Sequence, residues 1–230
     1  MNGIYQYNYL IGTLAVGVFW THFFFIRRDL RSPMLLLSLL FGIGGMLSEF
    51  VYIRDWWSPV TLTGTKVGIE DFLFGFFFSG SVAMAYDVIM RRKNVCRHHF
   101  KAHIRFRYLA LLISLLFFGG TMLANLSSFA ATVLAFGICT LLILVTQRDL
   151  IVDAMLSSLF ACLLAMVFFG VPELYAADWV TSTWSFDKLS GDMVFYIPLE
   201  DFIWFMMAGA FIGPLFKYWK YYQVIETAEH

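Results

Sequence analysis

Apolar residues run through this chain in long blocks, separated by short stretches where charge gathers. Blocks near the roughly 20 residues needed to cross a bilayer occur at about 8–26, 33–53, 72–90, 106–124, 126–146, 150–171 and 202–216, the last extended by its flanks. The pattern predicts an all-α polytopic membrane protein with seven transmembrane helices. The first block lacks a basic leader and a small-x-small cleavage site, so it reads as a retained helix and not as a signal peptide.

Composition agrees, since 60% of the 230 residues are apolar and 14% are charged, against roughly 25% charged in soluble domains. The net charge of zero hides a sorting by side. Arg27, Arg28 and Arg31 follow the first span, seven Lys/Arg lie between Arg91 and Arg107, Arg148 follows the fifth span, and Lys217 and Lys220 follow the seventh. Thirteen basic residues thus fall on one side against three (Arg54, Lys66, Lys188) on the other. The positive-inside rule makes the rich side cytoplasmic, with the amino terminus outside and the carboxyl terminus inside. That topology accounts for the basic loop, so no nucleic-acid partner is expected. Cys96 falls in that loop and is expected in the cytoplasm, while Cys139 and Cys162 lie inside spans, so no outside disulfide is expected. His22 has no Cys or His neighbour in sequence and reads as a packing residue, leaving no metal site.

An internal repeat orders the spans. Ile69-Glu70-Asp71-Phe72-Leu73-Phe74 lines up with Leu199-Glu200-Asp201-Phe202-Ile203-Trp204. Upstream, Arg28-Asp29-Leu30 pairs with Arg148-Asp149-Leu150, Glu49 with Glu173, and Asp55-Trp56 with Asp178-Trp179. Three spans carry a repeat from outside to inside, so a second copy of the same orientation needs one extra crossing, which 106–124 supplies. The expected plan is three plus one plus three, with parallel repeats. It divides the chain into a first repeat over 1–93, a basic loop and linker helix over 94–125, and a second repeat with a short tail over 126–230.

Ten of the sixteen acidic residues lie on or near the outer face. Glu70-Asp71 and Glu200-Asp201 open spans three and seven, while Glu49 and Glu173 close spans two and six. An acid in a first helical turn is also what exposed amide donors and the macrodipole favour, and Pro198 suits a helix start equally well. Ionisable groups within spans, however, usually mark a site, and this pattern occurs twice. Helical steps below Glu70 reach Phe74, Phe77 and Phe78, and those below Glu200 reach Trp204, Met207 and Phe211. Aromatic side chains there serve packing or lipid contact, or stabilise a cation through the ring quadrupole.

The second repeat resembles the membrane-integral lycopene cyclase domain family, which includes the two-subunit bacterial β-cyclases and the cyclase half of the fungal bifunctional carotenoid enzymes. The likeness rests on Trp184-Ser185-Phe186-Asp187 and on Ile197-Pro198-Leu199-Glu200-Asp201-Phe202, beside that family's Pro-x-Glu-Glu stretch at the start of a Phe-rich helix. Two departures stand out: Asp201 replaces the usual second glutamate, and the first repeat reads Gly68-Ile69-Glu70-Asp71 with no proline. The resemblance implies an isomerase-type intramolecular lyase in a prokaryotic plasma membrane, taking an apolar polyene such as lycopene from the lipid and closing its ψ-ends into β-rings without net redox change. The implied reaction protonates an alkene, passes through a tertiary cation and ends with proton loss. It needs an acid and a base, which a carboxylate cluster supplies. The sequence points to Glu200 and Glu70 as acid and base in either order, with Asp71, Asp201, Glu49 and Glu173 tuning them.

No flavin or nicotinamide cofactor is expected, because the loops are too short for a nucleotide domain and carry no glycine-rich fingerprint. The rival readings are a small-solute or proton transporter, a non-catalytic polyene or isoprenoid binder, and a light receptor. A transporter would need a polar route to the cytoplasm, which spans three and seven do not provide below the acids. A retinal receptor would need a lysine within span seven, where Lys217 stands only at the inner end. The oligomeric state is open.

Overall fold

The computed structural model describes residues 5–91, 93–96, 106–220 and 222–225. Most of the basic segment between Arg91 and Arg107, and the side chain of Cys96, lie outside the described residues. Among the described residues the long apolar blocks are helical, as a backbone in hydrocarbon must be to satisfy its own polar groups. After a 3-10 turn at Tyr5–Tyr7 come α1 (Asn8–Ile26), α2 (Arg31–Tyr52) and α3 (Ile69–Ile89). A linker helix α4 (Phe106–Met122) follows, then α5 (Ser128–Thr146), α6 (Ile151–Glu173) and α7 (Leu199–Lys220). A short helix, Trp179–Thr183, and a two-stranded hairpin, Met193–Val194 with Ile197–Pro198, lie between α6 and α7.

Six of these helices, α1, α2, α3, α5, α6 and α7, are long and apolar enough to cross a membrane. The linker is shorter than the span expected at 106–124. It is α-helical to Ser114, π-helical over Leu115–Gly119, and closes with one turn at Gly120–Met122. At 1.5 Å per residue it reaches roughly 25 Å, against a hydrocarbon core of about 30 Å. Spans three and seven start earlier than their apolar blocks, because the acids at 70–71 and 200–201 belong to the first helical turns.

The triples α1–α3 and α5–α7 pack internally alike. In each, the second and third helices form the closest pair and the first lies against the third. Both close pairs cross on glycine: an added Cβ at Gly75 would lie 3.0 Å from the Phe41 carbonyl carbon, and one at Gly209 would lie 2.7 Å from the Ser157 carbonyl oxygen and Ser158 Cα. Small residues at such crossings let helix backbones approach, which is how spans associate where lipid is as apolar as leucine. The tripeptides Arg28–Leu30 and Arg148–Leu150 form matching 3-10 turns ahead of α2 and α6.

Helices α3 and α7 are parallel, since their first turns border one cavity and their last turns meet in an ion pair between Asp87 and Lys217 (2.9 Å). Between the triples, α1 packs on α6, and α3 on both α6 and α7. Helix α5 does not lie along α2 in the same way. They meet at one end, where the Tyr52 and Thr132 hydroxyls are 3.0 Å apart, and α4 occupies the flank beside α5.

Candidate functional site

The cavity between the triples has a volume of about 290 Å³, and its wall includes Glu49, Asp71 and Asp201. Its roof is made where the segment after α2 meets the segment before α7. Ser58 donates its backbone N–H to Thr183 (2.9 Å), Ser185 donates to Trp56 (2.8 Å), and Trp57 bridges to Trp184. This pairing holds three indoles over the helix starts.

Two of those indoles converge on one oxygen. Asp201 Oδ2 accepts from Trp56 Nε1 at 3.0 Å and from Trp184 Nε1 at 2.7 Å. Both lone pairs of Oδ2 are thereby engaged, and Oδ1 takes no hydrogen bond from another residue among the described ones. Asp71, at the matching position, has both oxygens engaged: Oδ1 accepts from the Tyr9 hydroxyl (2.7 Å) and Oδ2 from the Gly68 backbone N–H (2.7 Å). The second is a helix-capping bond. It cannot form in α7, because Pro198 stands where Gly68 stands and has no N–H. Glu49 accepts from Trp57 Nε1 at 3.2 Å through Oε2, while its buried Oε1 has no partner among the described residues.

The two glutamates that open α3 and α7 are placed differently. Glu70 Oε1 accepts the Leu62 backbone N–H and Glu200 Oε1 the Ser190 backbone N–H, each at 2.6 Å. Each therefore fastens the preceding loop to the helix start, and neither is part of the cavity wall. The roughly 100° between successive helix positions accounts for the division: with the aspartates turned to the cavity, the glutamates face the loops. Glu173 is half-buried at the end of α6, away from the wall.

Below the acids the wall is aromatic. Phe74 stacks on Phe78 with ring centroids 5.5 Å apart, and Trp204 lies 5.5 Å from Phe78. Trp204 is oriented by donating to the Tyr52 hydroxyl at 3.0 Å. Of the expected lining residues, these three border the cavity. Phe211 stands behind Phe136, stacked at 5.5 Å; Phe77 turns toward Trp20 on α1; and Met207 faces Gly137 on α5. No Lys or Arg borders the cavity among the described residues.

At the far ends of these helices the charges are paired instead. Lys217 is buried at 1% exposure and reaches both Asp87 and Asp153, the latter also held by Ser157 at 3.1 Å. The lysine lies within α7 but is fully engaged by carboxylates and does not border the cavity.

Residues 127–219 match the family model described as lycopene cyclase. That stretch, from α5 to the end of α7, is similar to a lycopene cyclase domain. No curated protein and no solved structure matches the chain. The matched stretch holds Asp201, Trp184 and Trp204, whereas Glu49, Asp71 and Trp56 reach the same cavity from outside it. Two groups had sequence signals without an assigned role. Trp56 stood in a repeat pairing and Trp184 in the family-like stretch, but only folding shows both indoles on one carboxylate.

Proposed function

We propose that the chain is a membrane cyclase that closes the ψ-ends of an acyclic carotene into β-rings by acid–base catalysis, without net redox change. The observation that carries this reading is the aromatic cavity with three carboxyl groups in its wall and no basic side chain among the described lining residues. Glu49 is the acid: its Oε1 has no competing donor and its other oxygen is held by Trp57. Proton transfer to the terminal alkene leaves a tertiary cation, and the electron pair of a nearby alkene closes the ring. Asp201 Oδ1, the oxygen without an indole donor, takes the proton that the cyclic cation loses. Return of that proton to Glu49 resets the site. One proton enters and one leaves, so the net change is isomerisation. Phe74, Phe78 and Trp204 stabilise the cation through their rings, and Asp71 adds fixed negative charge nearby. Glu70, Glu200 and Glu173 support the site from outside its wall.

The reading includes α4 as a seventh crossing between two parallel three-helix repeats, with the amino terminus outside. The matching 3-10 turns and the parallel course of α3 and α7 support it. A transport reading lacks a polar route below the acids, where the Ser79 and Ser81 hydroxyls are taken up by helix carbonyls of Leu37 (3.3 Å) and Phe77 (2.7 Å).

Expression of the full chain in a membrane that accumulates lycopene, followed by pigment analysis, tests the activity. Ring-containing carotene is the expected product. Linear carotene that copurifies unchanged would make the chain a binder, and its absence altogether would end the polyene reading.

A further inference from the structure

The packing of the two triples is unequal at one place. Helix α1 lies along α6, but the corresponding flank between α2 and α5 is not closed by those helices. The gap is sealed at the acid end by the Tyr52–Thr132 hydrogen bond and by Phe117 against Tyr52, with ring centroids 5.4 Å apart. Below that seal the cavity wall passes from buried residues to surface ones: Gly44, Leu47 and Ser48 on α2 face Ile113, Ser114 and Phe118 on α4. Leu47 is 52% exposed and Ser114 is exposed as well, so the cavity reaches the outer surface of the bundle between α2 and α4. That surface is apolar, since α2 also exposes Leu36, Leu39, Leu40, Ile43 and Phe50.

Two features keep the slot open. An added Cβ at Gly44 would meet nothing within 4 Å, whereas one at the adjacent Gly45 would strike the Asp71 carbonyl oxygen at 2.7 Å. Gly44 thus faces free space while Gly45 serves the α2–α3 crossing. On the opposite side, Ser114 and Phe118 line the cavity where the helix becomes π-helical at Leu115–Gly119.

We propose that this slot is a lateral portal through which an acyclic polyene enters from the bilayer, end group first, with the rest of the chain left between α2 and α4. The proposal rests on the polyene reading above. It follows from the continuity of the cavity with a lipid-facing apolar surface, and from the cavity's size, which is at the low end for small-molecule pockets and suits an end group. A substrate that lives in lipid then reaches the acids without crossing water or passing the indole roof.

The test uses the full chain in liposomes loaded with lycopene, with Gly44→Phe to narrow the slot and Gly44→Ala as a mild change. Leu159→Phe adds bulk to a lipid-exposed face of α6 as a control. Replacing a helical glycine improves helix propensity, so the Gly44 variants fold. Two readouts separate entry from chemistry: quenching of protein Trp fluorescence by the polyene, which follows association, and ring formation at limiting and saturating substrate. Gly44→Phe is expected to slow association and to lower kcat/KM by about tenfold, most visibly at limiting substrate. Leu159→Phe should match the parent in both. Slowed association with no ring formation in the parent would uphold the portal while sinking the cyclase reading. Unchanged association in Gly44→Phe, or equal slowing in Leu159→Phe, would overturn the portal.

Discussion

Helices α3 and α7 begin alike and diverge one residue later. Each opens with Glu-Asp, and in each the glutamate fastens a loop N–H at 2.6 Å and leaves its Oε2 buried without a partner among the described residues. The aspartates then part. Asp71 caps its own helix through Gly68, whereas Asp201 has no N–H to cap and is held by two indoles from separate loops. The far ends diverge too: Asp87 and Lys217 stand at matching distances from Glu70 and Glu200, and the pair meets across the bundle. Helix α3 is thus capped through its aspartate and acidic at its far end, whereas α7 lacks that cap and is basic at its far end. One proline makes the difference at the helix start, since Pro198 offers Asp201 no N–H to cap and the carboxylate is held by the two indoles instead.

The strongest way to break this comparison is to neutralise the two aspartates separately. Asp201→Asn should insert normally and lower cyclisation by about 10²–10⁴-fold, the usual contribution of a general acid or base. Asp71→Asn, whose parent carboxylate already has both oxygens engaged, should cost far less activity and show part of its effect as lost stability. Rates are read as ring-containing against linear carotene at matched membrane abundance. Equal losses in the two variants would mean that the asymmetry at the helix starts has no catalytic meaning.

The far ends sharpen the contrast through stability. Lys217→Met leaves Asp87 and Asp153 buried together, and breaking a buried pair costs about 3–5 kcal/mol. Because the lysine joins α3, α6 and α7, the expected result is a much lower unfolding midpoint in detergent, with activity per folded molecule kept. The triple change Asp87→Asn, Asp153→Asn, Lys217→Met should recover most of the loss. A Lys217→Met protein as stable as the parent would show that the triad ties nothing together.

Next in size is the indole pair. Trp56→Phe and Trp184→Phe keep an aromatic ring in the roof and each remove one N–H donor from Asp201. Hydrogen bonds to charged groups contribute about 1.5–3 kcal/mol, so each change should slow turnover by roughly ten- to a hundredfold. Tyr9→Phe, which removes one donor from Asp71 while the Gly68 N–H stays, should do less. If Tyr9→Phe proves the more damaging, Asp71 is the better candidate for the reacting group.

Much of this was legible in the residues. Hydrocarbon length set six of the spans, and the twofold recurrence of Glu-Asp drew attention to the helix starts. The pattern could not decide which member of each pair meets the cavity, because adjacent helix positions differ by about 100° and one rotation of the helix exchanges their roles. The loop N–H groups of Leu62 and Ser190, distant from any pattern, make that choice by claiming the glutamates. Nor could it show the indole roof, which needs Trp56 and Trp184 to meet across 128 positions of chain. The linker's shortness has no mark in the sequence, because its apolar block continues to 124, past the point where the helix stops at Met122.

The smallest effects are expected at the residues with the plainest sequence signal. Glu70→Gln and Glu200→Gln each keep an amide oxygen where Oε1 sits, so the loop N–H of Leu62 or Ser190 still has its acceptor. The change falls on Oε2, which is buried without a partner in both helices. An amide NH₂ placed there gains two donors that need acceptors, and unsatisfied buried donors cost about 1–3 kcal/mol. A modest drop in unfolding midpoint is therefore expected in each variant, of similar size in the two because the local geometry is the same. Turnover per folded molecule should stay within a fewfold of the parent, since neither glutamate borders the cavity. Ring formation at matched abundance decides between this assignment and its rival. If Glu200→Gln abolishes cyclisation while Asp201→Asn leaves it intact, the proton passes through the glutamate, and the loop bond at Ser190 must open during the reaction.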